Sequence, residues 1–328
     1  MKTFFRIVFA SWIAAALPAA AQPAGSAAGG YPNKSIRLVV PSAPGGGTDI
    51  IARWIGQGLT DAWGQTVVVD NRGGGGGTVG VTIVAKAPQD GYTMLLGSVG
   101  HLTFAPVARK GLSYDAQKDI APITLAANQP FLVAAAPSLP VKSIADLITL
   151  AKSKPGGVVY GSGGVGSASH LGLALLELQA GISMQHISYK GSNPALTAVM
   201  GGEVQLVIAG LATVMPHMKS GRVRGLAVTG SKRAQVAPDV PTAAESGAKG
   251  YSFDVWYGLV FTGGTPRAVV EKANTTLVKM LKSPAMNKQF LSQGVEPLTS
   301  TAQEFEARIA SEIANWRKVV KAAKIQIN

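Results

Sequence analysis

The chain has 328 residues, room for two domains of ordinary size, and its 47% hydrophobic content supports sizeable cores. Aromatic residues make up only 6%, which argues against stacking platforms for bases, and the absence of Cys excludes disulfides and lipid attachment through a cysteine. The formal charge of +13 is scattered and contains no basic run of five, so it reads as a solvated surface that could help attract anions, not as a nucleic-acid site.

Lys2 and Arg6 form a positive start, Ile7–Leu17 a short apolar run, and Ala19, Ala20 and Ala21 a small-residue cleavage site. The apolar run is shorter than the roughly 18–20 residues of a membrane span, which disfavours an anchor. Residues 1–21 are therefore expected to be a cleaved signal peptide and 22–30 a flexible leader. The mature protein is expected in the periplasm.

Strand and helix signals then alternate, the pattern of an α/β protein with largely parallel sheets. Strand Ile36–Val40 leads through Pro41, Pro44 and three glycines to a helix over Thr48–Ala62, with Thr48 as N-cap. A strand over Thr66–Asp70, a helix over Val79–Lys86 and a strand over Tyr92–Gly97 follow. Phe131–Ala136 reads as a strand that could cross into a second lobe. There the expected elements are helix Ile144–Lys152, strand Val158–Tyr160, helix Leu171–Ala180 ending at Gly181, and strand His186–Ser188. A helix starting at Asn193 and Pro194, strand Leu206–Ile208, helix Ala212–Ser220 and strand Gly225–Val228 complete that lobe. Trp256–Phe261 reads as a return strand, and Arg267–Leu281, Pro284–Gln293 and Ala302–Ala323 as closing helices. The expected division is lobe 1 over 31–130, lobe 2 over 131–255, and 256–328 packing mainly on lobe 1. Ligands of such sheets bind beyond the carboxyl ends of the strands, so one cleft between the lobes is expected.

The turn Pro44–Asp49 carries the clearest chemistry. The first amides of a helix lack partners and sit at the positive end of its dipole, so a glycine turn leading into a helix cradles anions. No general base or nucleophile accompanies it, which points to holding an anion, not transforming it. Asp49 either complements the helix charge or orients the loop, a water or a ligand amine. Gly161, Gly163 and Gly166 spell G-x-G-x-x-G, but the acidic residue about 20 positions on that a dinucleotide site uses is absent. A second anion cradle is the better reading, with a plain turn as the alternative. Ser167, Ser169 and His170 are too close in sequence for a triad, and no G-x-S-x-G elbow exists. The four histidines lack metal-ligand spacing. No metal and no cofactor is expected.

The segments VVPSAPGGGTDIIARWIGQGL, VVVDNRGGGGGTVG, PQDGYTMLLGS, VVYGSGGVGSASHLG, ISYKGSNPALTAVMGGEVQL and GRVRGLAVTGSKRAQVAPDVPTAAESG resemble, in order, the blocks of the tripartite tricarboxylate transporter substrate-binding proteins, the Bug receptors. WYGLVFTGGTP and WRKVVKAAKI also fit, so the resemblance spans essentially the whole mature chain. It implies a two-lobed periplasmic binding protein of the Venus-flytrap type that captures a small organic carboxylate for integral membrane subunits of a tripartite transporter. No nucleic-acid partner is implied, and a monomer is expected. The ligand loops it implies are Pro44, Gly45, Gly46, Gly47, Thr48 and Asp49, then Ser98 and His101, then Gly166, Ser167, Ala168 and Ser169, with Tyr189 and Lys190 nearby. Two loops would grip one carboxylate through amides and water, with no obligatory Arg. The sequence departs from the family at Ala209, Gly210 and Leu211 and at Asp254 and Val255, where polar residues are common; Ala209, at a strand end, is also taken as a candidate ligand contact. An apolar or aromatic distal part of the ligand is the resulting expectation. Alternatives are a receptor that docks on a sensor kinase and, less favoured, a periplasmic enzyme acting on a carboxylate.

Overall fold

A computed structural model describes residues 30–42, 44–45, 47–189 and 191–322. The expected signal peptide, the leader through residue 29, Gly46, Lys190 and the closing 323–328 lie outside the described residues.

The first lobe opens with β1 (Ile36–Val40), α1 (Gly47–Trp63), β2 (Val67–Asn71), α2 (Thr78–Ala85) and β3 (Thr93–Ser98). A π-turn over Gly100–Phe104 runs into the short α3 (Ala105–Ala108), and β4 (Ile120–Gln129) follows. Pro130 alone separates β4 from β5 (Phe131–Ala135), which belongs to a different sheet. The second lobe continues with α4 (Ile144–Ser153), β6 (Val159–Ser162), α5 (Ala168–Ala180), β7 (Gln185–Ser188), α6 (Ser192–Gly201), β8 (Leu206–Gly210), α7 (Leu211–Lys219) and β9 (Arg224–Val228). The chain returns through β10 (Val255–Thr262) and ends with α8 (Arg267–Leu281), α9 (Pro284–Leu291), β11 (Glu296–Pro297) and α10 (Ala302–Ala322).

Among the described residues the strands form two sheets, ordered β11-β4-β10-β3-β1-β2 and β7-β6-β8-β5-β9. β1 pairs in parallel with β2 and β3, and β6 with β7 and β8. β10 and β5 run against their neighbours on both sides, and β11 runs against β4. The sheets are thus mixed, which corrects the expectation of largely parallel ones. The cause is the crossings themselves: β5 and β10 are the strands by which the chain enters the second sheet and regains the first, and each arrives head to tail. β10 is buried along its whole length, as expected of a central strand covered on both faces.

Local chemistry explains where the helices start and stop. Ser143 Oγ accepts the Asp146 N–H at 3.0 Å and caps α4, and Ser283 caps α9 ahead of Pro284. Gly181 ends α5 in the left-handed conformation at φ 61°, as its place in the sequence predicts. α10 places Phe305, Ile309, Ile313, Trp316 and Val319 on its buried face. These residues join a core that includes Val39 and Leu95 of the first sheet and Leu206 and Ile208 of the second. Trp316 meets Phe104 edge-on at 5.7 Å and Phe253 at 5.8 Å. α10 therefore packs against both lobes. At its centre Glu312 accepts the Trp256 Nε1–H at 2.9 Å and the Arg308 Nε–H at 2.8 Å. No helix among the described residues is long and apolar enough to cross a membrane.

Candidate functional site

The carboxyl ends of β1, β2, β3 and β6 converge on a cavity of about 360 Å³ between the two sheets. Its walls come from both lobes, with Thr48, Ser98, His101 and Tyr257 from the first and Gly166, Ser167 and Ala168 from the second.

On the first-lobe side, β1 turns through Pro41 into α1. Asp49 is buried, and its Oδ2 accepts the Gly45 N–H at 2.9 Å and the Arg53 Nε–H at 3.0 Å. Burial pushes this carboxyl up, but the bonds from Arg53 and Gly45 outweigh that and hold it below the usual carboxylate range. Of the two readings left open for Asp49, the structure favours orienting the loop, since its carboxylate ties the turn to the first coil of α1. The amides that open α1 have no carbonyl four residues back within the helix, and Thr48 in that first turn lines the cavity. The Tyr257 hydroxyl lies within hydrogen-bonding reach of Thr48 and donates to Gln129 Oε1 at 2.9 Å.

At the end of β3, the Ser98 N–H donates to His101 Nδ1 at 3.2 Å, with Ser98 Oγ 3.0 Å from the same nitrogen. An Nδ1 that accepts from an amide leaves the ring proton on Nε2. Burial pushes His101 down to about 4, so the ring is neutral at pH 7. It packs against Gly77, where a Cβ would fall 2.3 Å from its Cδ2 and Nε2.

The second-lobe loop is held by its own side chains. Ser169 Oγ accepts the Gly163 N–H at 2.8 Å, Ser162 Oγ accepts the Gly164 N–H at 3.1 Å, and His170 Nδ1 accepts the Gly166 N–H at 3.0 Å. Ser167 caps α5 by accepting the His170 N–H at 3.3 Å. The amides of Ala168 and Ser169 begin the helix and have no carbonyl four residues back inside it. Those amides, with the Ser167 hydroxyl, are the chemistry this loop offers an anion. The glycine letters that mimic a dinucleotide fingerprint have a steric cause. A Cβ on Gly163 would stand 3.0 Å from the Ser192 N, so the close approach of the β7–α6 turn favours glycine there.

The sequence candidates divide. Thr48, Ser98, His101, Gly166, Ser167 and Ala168 line the cavity. Asp49 and Ser169 are buried behind it and position the loops. Pro44 and Gly45 are exposed and are not among the described lining residues. Tyr189 turns away: its ring packs on the outer core of the second lobe and its hydroxyl reaches Glu203 at 3.4 Å. Ala209 is 1% exposed and shares the face of Val207, inside the same outer core, because alternate residues of β8 point to opposite faces. Sequence reasoning missed Arg109, Phe131 and Tyr257, all of which line the cavity. That Phe131 and Tyr257 lie on the strands read as crossings between the lobes was the one signal that pointed toward any of them.

His170 and His186, distant in sequence, stack at 4.2 Å, and Ser162 Oγ lies 2.6 Å from His186 Nε2. Burial, then the neighbouring His186, pushes His170 down to about 4, and burial lowers His186. In an unfolded chain histidine titrates at about 6.5, so between these values the unfolded state binds more protons and stability rises with pH. The ligand-free protein is therefore expected to hold its full stability above pH about 6.5 and to lose it progressively as pH falls toward 4. Urea midpoints measured at pH 7 and pH 5 check this: a lower midpoint at pH 5 is expected, with a smaller difference in His170→Gln. Equal midpoints would contradict it. Among the described residues no three His, Asp or Glu side chains form a metal-binding group.

Comparison with known proteins agrees with this architecture. A family model described as the tripartite tricarboxylate transporter family receptor matches residues 51–325. Protein BugT of Bordetella pertussis is 36% identical over 297 residues, which cover 89% of this chain and 90% of BugT. The structure of R. palustris Rpa4515 with adipate is 36% identical, with a TM-score of 0.76 over 90% of this chain and 99% of that one. MatC (Rpa3494) from Rhodopseudomonas palustris with bound malate is 29% identical, with a TM-score of 0.72 over 88% of this chain and 100% of that one. A two-lobed α/β fold, helix-opening loops that face each other across a cleft, and these matches along most of the chain place it in one group: the chain belongs to the receptor family of the tripartite tricarboxylate transporters.

Proposed function

We propose that this protein is a periplasmic receptor that captures a small organic carboxylate in the interlobe cavity and presents it to integral membrane subunits of a tripartite transporter. The observation that carries the reading is the pairing of two helix starts. Thr48 in the first turn of α1 and Ser167 at the cap of α5 line one cavity from opposite lobes. Amides at both starts can donate to a single carboxylate, and a ligand held by both lobes favours the closed arrangement over the open one. Val99, Phe104, Phe131, Val165 and Leu171 supply an apolar wall for the remainder of the ligand. The names of two structural relatives support the class, since one is bound to adipate and the other to malate.

In this reading Thr48, Ser98, His101, Gly166, Ser167 and Ala168 contact the ligand, while Asp49 and Ser169 hold the loops. The lobes divide at Pro130 and again before β10, so 31–130 with most of 256–328 forms one body and 131–255 the other. The receptor acts as a monomer, exported by a cleavable signal peptide over 1–21.

A thermal-shift screen of ligand-stripped mature protein against mono-, di-, tri- and aromatic carboxylates and acidic amino acids tests the reading. Ligand at about 100 times its Kd adds roughly 2.7 kcal/mol, a rise of several degrees for a chain of this size. A rise with one chemical class is expected. No rise with any acid would contradict a carboxylate receptor.

A further inference from the structure

Two strands carry the chain between the sheets, and they lie side by side. Gln129 at the end of β4 pairs with Val255 at the start of β10, the last pairing of the first sheet at both crossings. Beyond it, Phe131 pairs with Gly210 of the second sheet, and the Phe253 N–H donates to the Thr229 carbonyl at 2.7 Å. Pro130 and Asp254 are therefore the two residues left between the bonds of one lobe and those of the other. Any turning of the lobes passes through them. Proline fixes its own φ, which leaves Asp254 as the freer of the two pivots.

The Asp254 carboxylate meets both lobes. Its Oδ1 faces Gly230, just beyond β9 in the second lobe, where a Cβ would stand 2.7 Å away. Its Oδ2 lies 3.5 Å from Arg308 Nη2 on α10. Arg308 is set in turn by Glu312, which accepts its Nε–H at 2.8 Å, and by the Trp256 ring, whose centre lies 5.6 Å from the guanidinium carbon. Glu312 also accepts the Trp256 Nε1–H and lies 3.3 Å from Thr103 Oγ1. Thr103 sits between His101 and Phe104, which both line the interlobe cavity. Its Oγ1 donates at 2.7 Å to the carbonyl of Val99, another lining residue. One run of side chains thus joins the pivot, α10 and the cavity wall, while Asp254 is not among the described residues that line the cavity.

We propose that Asp254 and Arg308 are positioning residues for ligand binding: their ion pair, backed by Glu312 and seated on Gly230, clasps the hinge and holds the lobes in the arrangement in which the starts of α1 and α5 line one cavity. The inference rests on the receptor reading above and adds the part of the chain that sets its open–closed balance. A partly buried charge pair is screened by salt less than an exposed one, so it can bias such a balance under physiological conditions. Apparent affinity scales with the fraction of receptor already in the competent arrangement, so releasing the clasp weakens binding without touching the ligand.

Asp254→Asn keeps the size of the side chain and removes its charge. Spin labels on Ala62→Cys in α1 and Lys152→Cys in α4, both exposed positions, read the distance between the lobes, since the chain has no Cys of its own. In the ligand-free mature protein the distance distribution is expected to broaden in Asp254→Asn and in Arg308→Gln, and to stay closer to wild type in Arg308→Lys. Gly230→Ala, whose Cβ would meet the Asp254 carboxylate and no other atom closer than 3.6 Å, is expected to broaden it too and to add nothing in Asp254→Ala. Calorimetry gives the second readout, with succinate, citrate and benzoate tried first from the carboxylate screen. For each acid that the wild type binds, Kd is expected to rise roughly threefold to tenfold in Asp254→Asn, with a thermal melt showing that the variant is folded. An unchanged distribution in Asp254→Asn, a broadened one with undiminished affinity, or an additive effect of Gly230→Ala in Asp254→Ala would overturn the proposal and leave the receptor reading standing. Failure of the wild type to bind any acid of the screen would overturn both.

Discussion

Ser167→Leu is expected to abolish carboxylate binding while leaving the fold intact. Ser167 occupies the point where the second-lobe loop becomes α5, and it lines the cavity. Its Oγ accepts the His170 N–H at 3.3 Å and lies 3.0 Å from Ser169 Oγ. Leucine removes the cap, which costs about 1 kcal/mol, or a few degrees in Tm for a chain of this size. The larger effect is local. An isobutyl group fills the space at the first amides of α5 and takes away a hydroxyl donor, so the carboxylate loses its second-lobe contacts. Those contacts are the ones that reward closure, and without them binding falls by on the order of a hundredfold or more, the worth of two or three charge-assisted hydrogen bonds. Thr48→Leu makes the same prediction from the other lobe. Titration calorimetry together with a thermal melt checks both variants. Undiminished affinity in either would remove that loop from the site.

Gly77→Ala is expected to lower stability and affinity together. Gly77 sits at φ +92°, in the left-handed region where a Cβ is strained, and that Cβ would meet the His101 ring at 2.3 Å and the Pro41 carbonyl at 3.2 Å. Backbone strain and overpacking together cost roughly 2–5 kcal/mol, a fall in Tm of roughly 5–15 °C. Relief of the clash displaces His101, which then loses its grip on the Ser98 N–H, so the wall between β3 and the anion loops loosens. Gly111→Ala separates the two terms. Gly111 has φ +70° but no atom within 4 Å of an added Cβ, so that variant carries the backbone strain alone, about 1–2 kcal/mol. Equal melts for the two variants would show that the His101 contact does not matter.

Much of the fold was legible because its punctuation is local. Ser143 before Ile144, Pro284 after Ser283 and Gly181 after Ala180 mark helix ends by capping chemistry that acts within four residues. β4 was not legible. Pro122 interrupts its pattern, since proline lacks an amide for the ladder. The structure tolerates it because β11 covers β4 only at Ala127 and Asn128, and because the pairing with β10 shifts register between Leu259 and Val260, opposite Pro122. Strand direction was not legible either, because β5 and β10 are set antiparallel by the crossings and not by any residue within them.

The site divides in the same way. The loops after β1, β3 and β6 announce themselves by Gly, Ser and Thr at a strand-to-helix turn, and these reach the cavity. Tyr257 and Phe131 lie on the crossing strands, and their place in the wall depends on distant partners, Ser98 for Tyr257 and Gly210 for Phe131. Arg109 follows α3, and its guanidinium packs on Gly76 of another loop, a contact that no local pattern announces. Tyr189 and Ala209 have the right height along their strands but the wrong face, and a two-residue period decides that only once the sheet register is known.

In the proposed receptor, one carboxylate is held jointly by the starts of α1 and α5. The most direct measurement is a crystal structure of the mature protein with the acid that gives the largest thermal shift. One carboxylate group is expected between Thr48 and the Ser167–Ser169 turn, within hydrogen-bond distance of amides from both lobes. A carboxylate bound to a single lobe, or seated outside this cavity, would contradict it.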